Sequence, residues 1–101
     1  MRVNSKELEF DKIFDLGRTH YQENQFIQAR SIFEKCLSIQ NTSLDKFKKI
    51  DLLLFIAYTN IQLQSYKVSL DYLNKALELC EFNLLENKIS DKRGYLKYYL
   101  D

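Results

Sequence analysis

Few side chains in this sequence have the chemistry to attack a substrate, shuttle a proton or hold a metal. They are the single histidine, His20, the cysteines Cys36 and Cys80, and the carboxylates of Asp11 and Asp15. A thiol beside an imidazole makes a nucleophilic pair, in which the histidine takes the thiol proton. Two aspartates one helical turn apart can share a cation, although such carboxylates on a helix surface are usually just solvated. The chain has no glycine-rich phosphate loop, no HExxH and no nucleophile elbow. Cys36 and Cys80 form no CxxC pair, and both sit at apolar helical positions, where lone thiols are most often buried and reduced. The residues therefore predict no catalytic group, no metal and no cofactor. The chain is expected not to be an enzyme, with Cys36 and Cys80 structural and unbridged.

These side chains must be positioned by helices. The chain has two glycines and no proline in 101 residues, with 46% hydrophobic content, enough for one domain with a modest core. A formal charge of +1 and a pI near 7.7 offer no concentrated basic face for nucleic acid. The nearest cluster, Lys46, Lys48 and Lys49, is flanked by Asp45 and Asp51 and reads as a solvated helix face. The opening MRVNSKELEF is too charged for a secretory core. The longest apolar run, Leu52 to Tyr58, falls far short of the roughly 20 residues that cross a bilayer. No nucleic acid or membrane partner is expected, and a cytoplasmic setting is.

The order of the apolar residues carries more information. A shift of forty positions lays Ile13 on Leu53, Leu16 on Ile56, Gly17 on Ala57 and Phe26 on Tyr66. It also lays Ala29 on Ser69, Phe33 on Leu73, Cys36 on Ala76 and Leu37 on Leu77. Large residues fall on large and small on small, the signature of a structural repeat. Each copy holds two runs of helical periodicity joined by a short polar stretch, Gln22–Gln25 and Gln62–Ser65. Capping-box spacing at Asn4 with Glu7, Thr42 with Asp45 and Asn83 with Glu86 marks three helix starts. The expected helices span roughly 5–23, 26–40, 44–63, 66–82 and 85–100. Phe33 and Leu73 should be buried at equivalent points of two helix hairpins, and Gly17 and Ala57 should be small because the hairpin helices approach closely there.

The pattern Ile13, Leu16-Gly17, Phe26, Ala29, Phe33, Cys36, and its second copy Leu53, Ile56-Ala57, Tyr66, Ser69, Leu73, Ala76, resembles the tetratricopeptide repeat. The likeness covers Phe10 to Cys80. It departs where the family's first-helix tyrosine is His20 and Asn60, where its opening tryptophan is missing, and where its closing proline is Asn41 and Glu81. The repeat is also longer than the usual 34 residues, a length known in bacterial peptide-sensing regulators. The resemblance makes His20 and Cys36 packing residues rather than a catalytic pair. It implies an all-α fold: two helix hairpins plus a C-terminal helix in a short right-handed solenoid. Repeat one would occupy 5–43, repeat two 44–83, and a capping or partial third repeat 84–101.

In this family the concave wall is built from the first helix of each pair. That places Asp11, Phe14, Asp15, Arg18, Tyr21 and Gln22 on it from one repeat, and Asp51, Leu54, Phe55, Tyr58, Ile61 and Gln62 from the other. The lysines and asparagines with which some members clamp a chaperone's C-terminal carboxylate are replaced here by Phe14, Arg18 and Phe55. The resemblance thus implies a non-catalytic module that binds a protein or peptide, as a scaffold or adaptor. Its partner-binding residues would be Phe14, Arg18, Tyr21, Leu54, Phe55, Tyr58 and Ile61. A peptide-sensing regulatory fragment of a larger signalling or transcription protein, or a self-associating homo-oligomer, are alternatives of the same kind. Two covers for the apolar strip stay open: an external partner, or the aromatic end of the chain at Tyr95, Leu96, Tyr98, Tyr99 and Leu100.

Overall fold

The structure, a computed structural model, describes residues 5–39 and 45–90, with side chains for 7–39 and 45–82. It contains four helices: α1 (Ser5–Gln22), α2 (Phe26–Leu37), α3 (Lys46–Gln62) and α4 (Tyr66–Ser90). Helices α1 and α2 form one hairpin, α3 and α4 the second, and α3 packs on α2 to join them. The fold is the all-α helical repeat that the forty-residue period predicts. Among the described residues no helix is long and apolar enough to cross a membrane.

Both hairpins turn through the same device. Asn24 and Gln64, forty residues apart, each adopt φ 62°, the left-handed region that non-glycine residues seldom enter. The amide of Gln25 then donates to His20 O at 2.9 Å, and that of Ser65 to Asn60 O at 2.8 Å. The amides of Asn24 and Gln64 donate to Tyr21 O and Ile61 O, both at 3.0 Å. These paired bonds satisfy the last carbonyls of α1 and α3 as a Schellman cap does. Helix α3 opens on Asp45, whose carboxylate accepts from the Phe47 amide at 2.7 Å.

The core is one aromatic cluster with an aliphatic extension. Phe10, Phe14, Ala29, Phe33, Cys36, Leu52 and Ile56 are buried together, with Ile13, Tyr21, Leu37, Phe55 and Tyr72 against them. Ile50, Leu53 and Ala76 make the second cluster, between α3 and α4. At Gly17 the missing side chain leaves room for the facing helix: a Cβ there would lie 2.5 Å from the Phe33 ring. The expected close approach is thus present, and the ring that occupies it is identified.

Several expectations are corrected. The break near residue 83 does not occur, because α4 runs unbroken to Ser90. Asn83 is a mediocre helix former, but it is embedded among good ones, and a few tenths of a kcal/mol of propensity cannot stop a helix. A separate helix starting at 85 is therefore absent, and the tyrosines from 95 onward lie outside the described residues. Asp45 rather than Thr42 caps α3, and Thr42, like Asn4, also lies outside them. Helix α2 ends at Leu37, three residues early. Leu73 is only half-buried, unlike Phe33, and Cys80 is exposed.

Candidate functional site

The residues that could do chemistry are held apart or already engaged. Cys36 lies buried in the core with its thiol directed at Phe10 O, 3.5 Å away. Burial, with the charge of Asp11 adding to it, pushes its pKa up to about 12, so the reactive thiolate does not form near neutral pH. His20, at the end of α1, bonds instead through Nδ1 to the amide oxygen of Gln25. Asp11 accepts from Lys48 Nζ at 3.0 and 3.1 Å, and Glu7 accepts from the same ammonium at 3.0 Å. These bonds to Asp11 and Glu7 raise the pKa of Lys48 and tie α3 to α1. Asp15 pairs with Arg18. Two aspartates that each hold a cationic side chain do not make a metal site, and among the described residues no group of three or more suitable ligands exists.

The aromatic residues, by contrast, converge. Phe55 of α3 stands at their centre, with ring centres of Phe14 and Phe33 each 5.5 Å away, Tyr21 5.8 Å and Tyr58 6.1 Å. Tyr21 in turn meets Phe26 at 5.3 Å, and Phe10 stacks on Phe14 at 5.6 Å. Most of these contacts are edge-on, the geometry that aromatic quadrupoles favour. The Arg18 guanidinium sits 5.0 Å from the Phe14 ring centre, a cation–π contact at the rim. One chain of contacts thus runs from Arg18 through Phe14 and Phe55 to Tyr21 and Tyr58.

The seven wall residues divide into supports and surface. Phe14 is buried between Phe10, Phe33 and Phe55, so it backs the strip and presents little to solvent. Leu54 is half-buried and belongs to the α3–α4 cluster, away from the rings. Phe55 and Tyr21 are half-buried. Tyr58, Ile61 and Arg18 are exposed. Spacing nominated all seven as one strip; the contacts join Phe14, Arg18, Tyr21, Phe55 and Tyr58 and set Leu54 apart, because Leu54 faces the second hairpin instead.

A second concavity was not foreseen. Leu37, Lys49, Leu53, Tyr72, Lys75, Glu78, Leu79 and Phe82 line a pocket of about 490 Å³ between α2, α3 and α4. Its signal in the sequence is the stripe Tyr72, Lys75, Leu79, Phe82 at steps of three and four. Of the lining cations, Lys75 sits 5.0 Å from the ring centre of Tyr72, while Lys46, outside the lining, sits 5.3 Å from that of Phe82.

A family model of the tetratricopeptide repeat matches residues 13–43 and 50–83. The first matched segment takes in most of α1 and all of α2, and the second most of α3 and of α4. No curated protein and no solved structure matches the chain.

Proposed function

Because the chain belongs to the tetratricopeptide repeat family, whose members are in general non-catalytic protein-interaction modules, we propose that it binds an apolar segment of a partner protein along the aromatic strip of α1 and α3, as a scaffold or adaptor. Repeat one (5–43) and repeat two (44–83) act as a single unit in this reading. The observation that supports it is the graded exposure around Phe55. Phe14 and Phe33 lock that ring from beneath, while Tyr58, Ile61 and Arg18 are presented to solvent. A rigid aromatic anchor with an exposed edge loses little conformational entropy on binding, and such anchors dominate the energetics of interfaces.

The charge of the strip narrows the partner. Asp15 neutralises Arg18 within α1, so the exposed part of the strip is near neutral and suits a peptide with apolar or aromatic side chains rather than an acidic tail. Selection of displayed random peptides on the full chain should enrich sequences of that composition. Tyr58→Ala should weaken a selected peptide's binding at least tenfold, about 1.4 kcal/mol, with no fall in melting temperature. Peptides that bind the Tyr58→Ala and Arg18→Ala variants as tightly as the parent would end this reading.

A further inference from the structure

The outer faces of α1 and α4 repeat the two halves of the internal joint. Inside the molecule, α3 joins the first hairpin through Leu52 and Ile56, which share one cluster with Ala29, Phe33 and Cys36 of α2, and Thr59 at the same helical spacing is fully buried too. The face of α2 that receives them includes Leu37 and Arg30, whose guanidinium donates to Asn60 Oδ1 at 3.4 Å. Forty residues earlier, the slots of Ile56 and Thr59 hold Leu16 and Thr19 on α1. Leu16 is 51% exposed, whereas Ile56 is 0%. Forty residues later, the slots of Arg30, Phe33 and Leu37 hold Leu70, Leu73 and Leu77 on α4. Leu70 is 57% exposed and Leu77 55%.

From this we propose that the chain associates head to tail, with the α4 face of one copy receiving the α1 face of the next as α2 receives α3 within one copy. The complementarity is inherited from the repeat, so the occupant that fits the α4 face is a first helix of this chain's own kind. The backbone of α1 is prepared as that of α3 is: Thr19 Oγ1 donates to Asp15 O at 3.0 Å and Thr59 Oγ1 to Phe55 O at 2.6 Å, so neither hydroxyl would be left unpaired in the joint. The open α4 face is also more apolar than its α2 counterpart, since Leu70 stands where Arg30 does. The α1 face departs at Asp15 in the slot of Phe55 and His20 in that of Asn60, which pair with Arg18 and Gln25 of their own hairpin, and at Lys12 in the slot of Leu52. Its stem can cover the same apolar surface while the ammonium reaches water. An interface of this kind joins different patches on the two partners, so repetition gives an open superhelical row rather than a closed dimer. The joint uses neither Tyr58 nor Arg18, and its failure would leave the partner-binding reading untouched.

Sedimentation equilibrium of the full chain tests this, alongside Leu16→Glu and Leu77→Glu, two changes at exposed positions. A single helix-on-helix joint is small, so loading concentrations from roughly 10 µM to 1 mM are appropriate. The parent's weight-average mass should climb beyond twice the 12.1 kDa of one chain without reaching a plateau. Each variant should stay at one chain while melting at the parental temperature. An equimolar mixture of the two variants should form a dimer and stop there, because each retains the half that the other lacks. A parent that remains a single chain throughout overturns the proposal. If Leu77→Glu also lowers the melting temperature of such a monomer, another part of the same chain covers the α4 face. A parent mass that levels at two chains, with no complementation in the mixture, replaces the open row with a symmetric dimer and equally overturns it.

Discussion

The two helix hairpins share a backbone and differ in how they fill it. In the first, Gly17 lies under the Phe33 ring, and Phe10, Phe14 and Phe55 close around it. In the second, the same two slots hold Ala57 and Leu73, and the Ser69 hydroxyl donates to Ala57 O at 2.8 Å. A larger residue on one helix is matched by a smaller one on its partner, so the interhelical volume is kept while its chemistry changes from aromatic to aliphatic. The difference shows that the repeat constrains the sum of the facing side chains rather than each identity, as expected for interiors packed to near-crystal density. It also divides the labour: the first hairpin supplies the buried rings Phe10, Phe14 and Phe33, and the second supplies six of the eleven buried apolar side chains among the described residues, all of them aliphatic.

The largest test of that division compares Phe33→Ala with Leu73→Ala. Phe33 is fully buried, and its truncation should cost about 3–5 kcal/mol, against a total of about 5–15 kcal/mol for ordinary domains. Phe33→Ala should therefore abolish or nearly abolish the cooperative transition in urea, followed by circular dichroism. Leu73 is half-buried, so its truncation should cost no more than the low end of the about 2–5 kcal/mol seen for buried leucines. Equal losses at the two positions would show that the buried ring contributes no more than the half-buried leucine in the same slot.

A sharper test exchanges one hairpin's solution for the other's. Gly17→Ala puts a Cβ 2.5 Å from a ring that its neighbours hold in place. Such overpacking costs about 1–3 kcal/mol, more than the roughly 1 kcal/mol that alanine returns in helix propensity, so the single variant should melt lower. In a Phe33→Leu background the same substitution should become neutral or stabilising, because the pair then reproduces Ala57 with Leu73. The sign reversal is read as the coupling term of a double-mutant cycle. Additive effects would mean that the ring moves aside at little cost and that Gly17 is not paired with Phe33.

Most of this architecture was legible in the sequence, and the misses have physical causes. The period, the all-α fold, the hairpin turns and the small-against-large register all follow from side-chain size at helical spacing, which survives in one dimension. Exposure does not survive so well. Leu16 and Ile56 are equivalent in pattern, yet one is exposed and the other buried, because among the described helices only α3 has a neighbour on that flank. Leu77 departs from Leu37 for the same reason. Periodicity tells which face of a helix is apolar but not whether a neighbour exists to cover it. The end of α4 was misread because Asn83 with Glu86 has cap spacing, whereas a cap requires the chain to leave the helix before it, and nothing there makes it do so. Of the candidate strip, the sequence marked the members, and only the packing around Phe55 separated Phe14 as a support from Tyr58 as a surface.

The hairpins also differ in their cysteines, which gives a pH test. Cys36 is buried in the first and Cys80 is exposed in the second. Its raised pKa keeps Cys36 protonated in the folded chain up to about pH 12, while in the unfolded chain it ionises near 9.0. The unfolded state therefore binds fewer protons above pH 9, and the contribution that is complete below that pH is lost progressively as pH rises towards 12. Between pH 9 and 10 the loss should be about 1 kcal/mol. Denaturant midpoints at the two pH values, for the parent and for Cys36→Ala, should show the variant less pH-sensitive by that amount. Identical slopes would show that Cys36 titrates normally. In the folded chain one thiol, Cys80, should react rapidly with a disulfide reagent and Cys36 only on unfolding.

The smallest expected effect lies at the turns, where the hairpins are most alike. Asn24 and Gln64 share φ 62° and the same pair of capping bonds. Asparagine visits the left-handed region more readily than other non-glycine residues, because its short side chain can bond locally. Glutamine has one more methylene and little such relief, so the second turn should hold more strain than the first. Glycine removes the Cβ penalty, about 1–2 kcal/mol for an ordinary residue, but also enlarges the unfolded ensemble at a cost of about 0.4–1 kcal/mol. The balance at residue 64 should be a gain of about 0.5–1 kcal/mol for Gln64→Gly, and at residue 24 close to zero for Asn24→Gly. Gln64→Asn should recover part of the same gain without touching any packed side chain. If urea midpoints rise equally for Gln64→Gly and Asn24→Gly, side-chain bonding contributes nothing to the first turn, and the two hairpins are as equivalent in strain as they are in backbone.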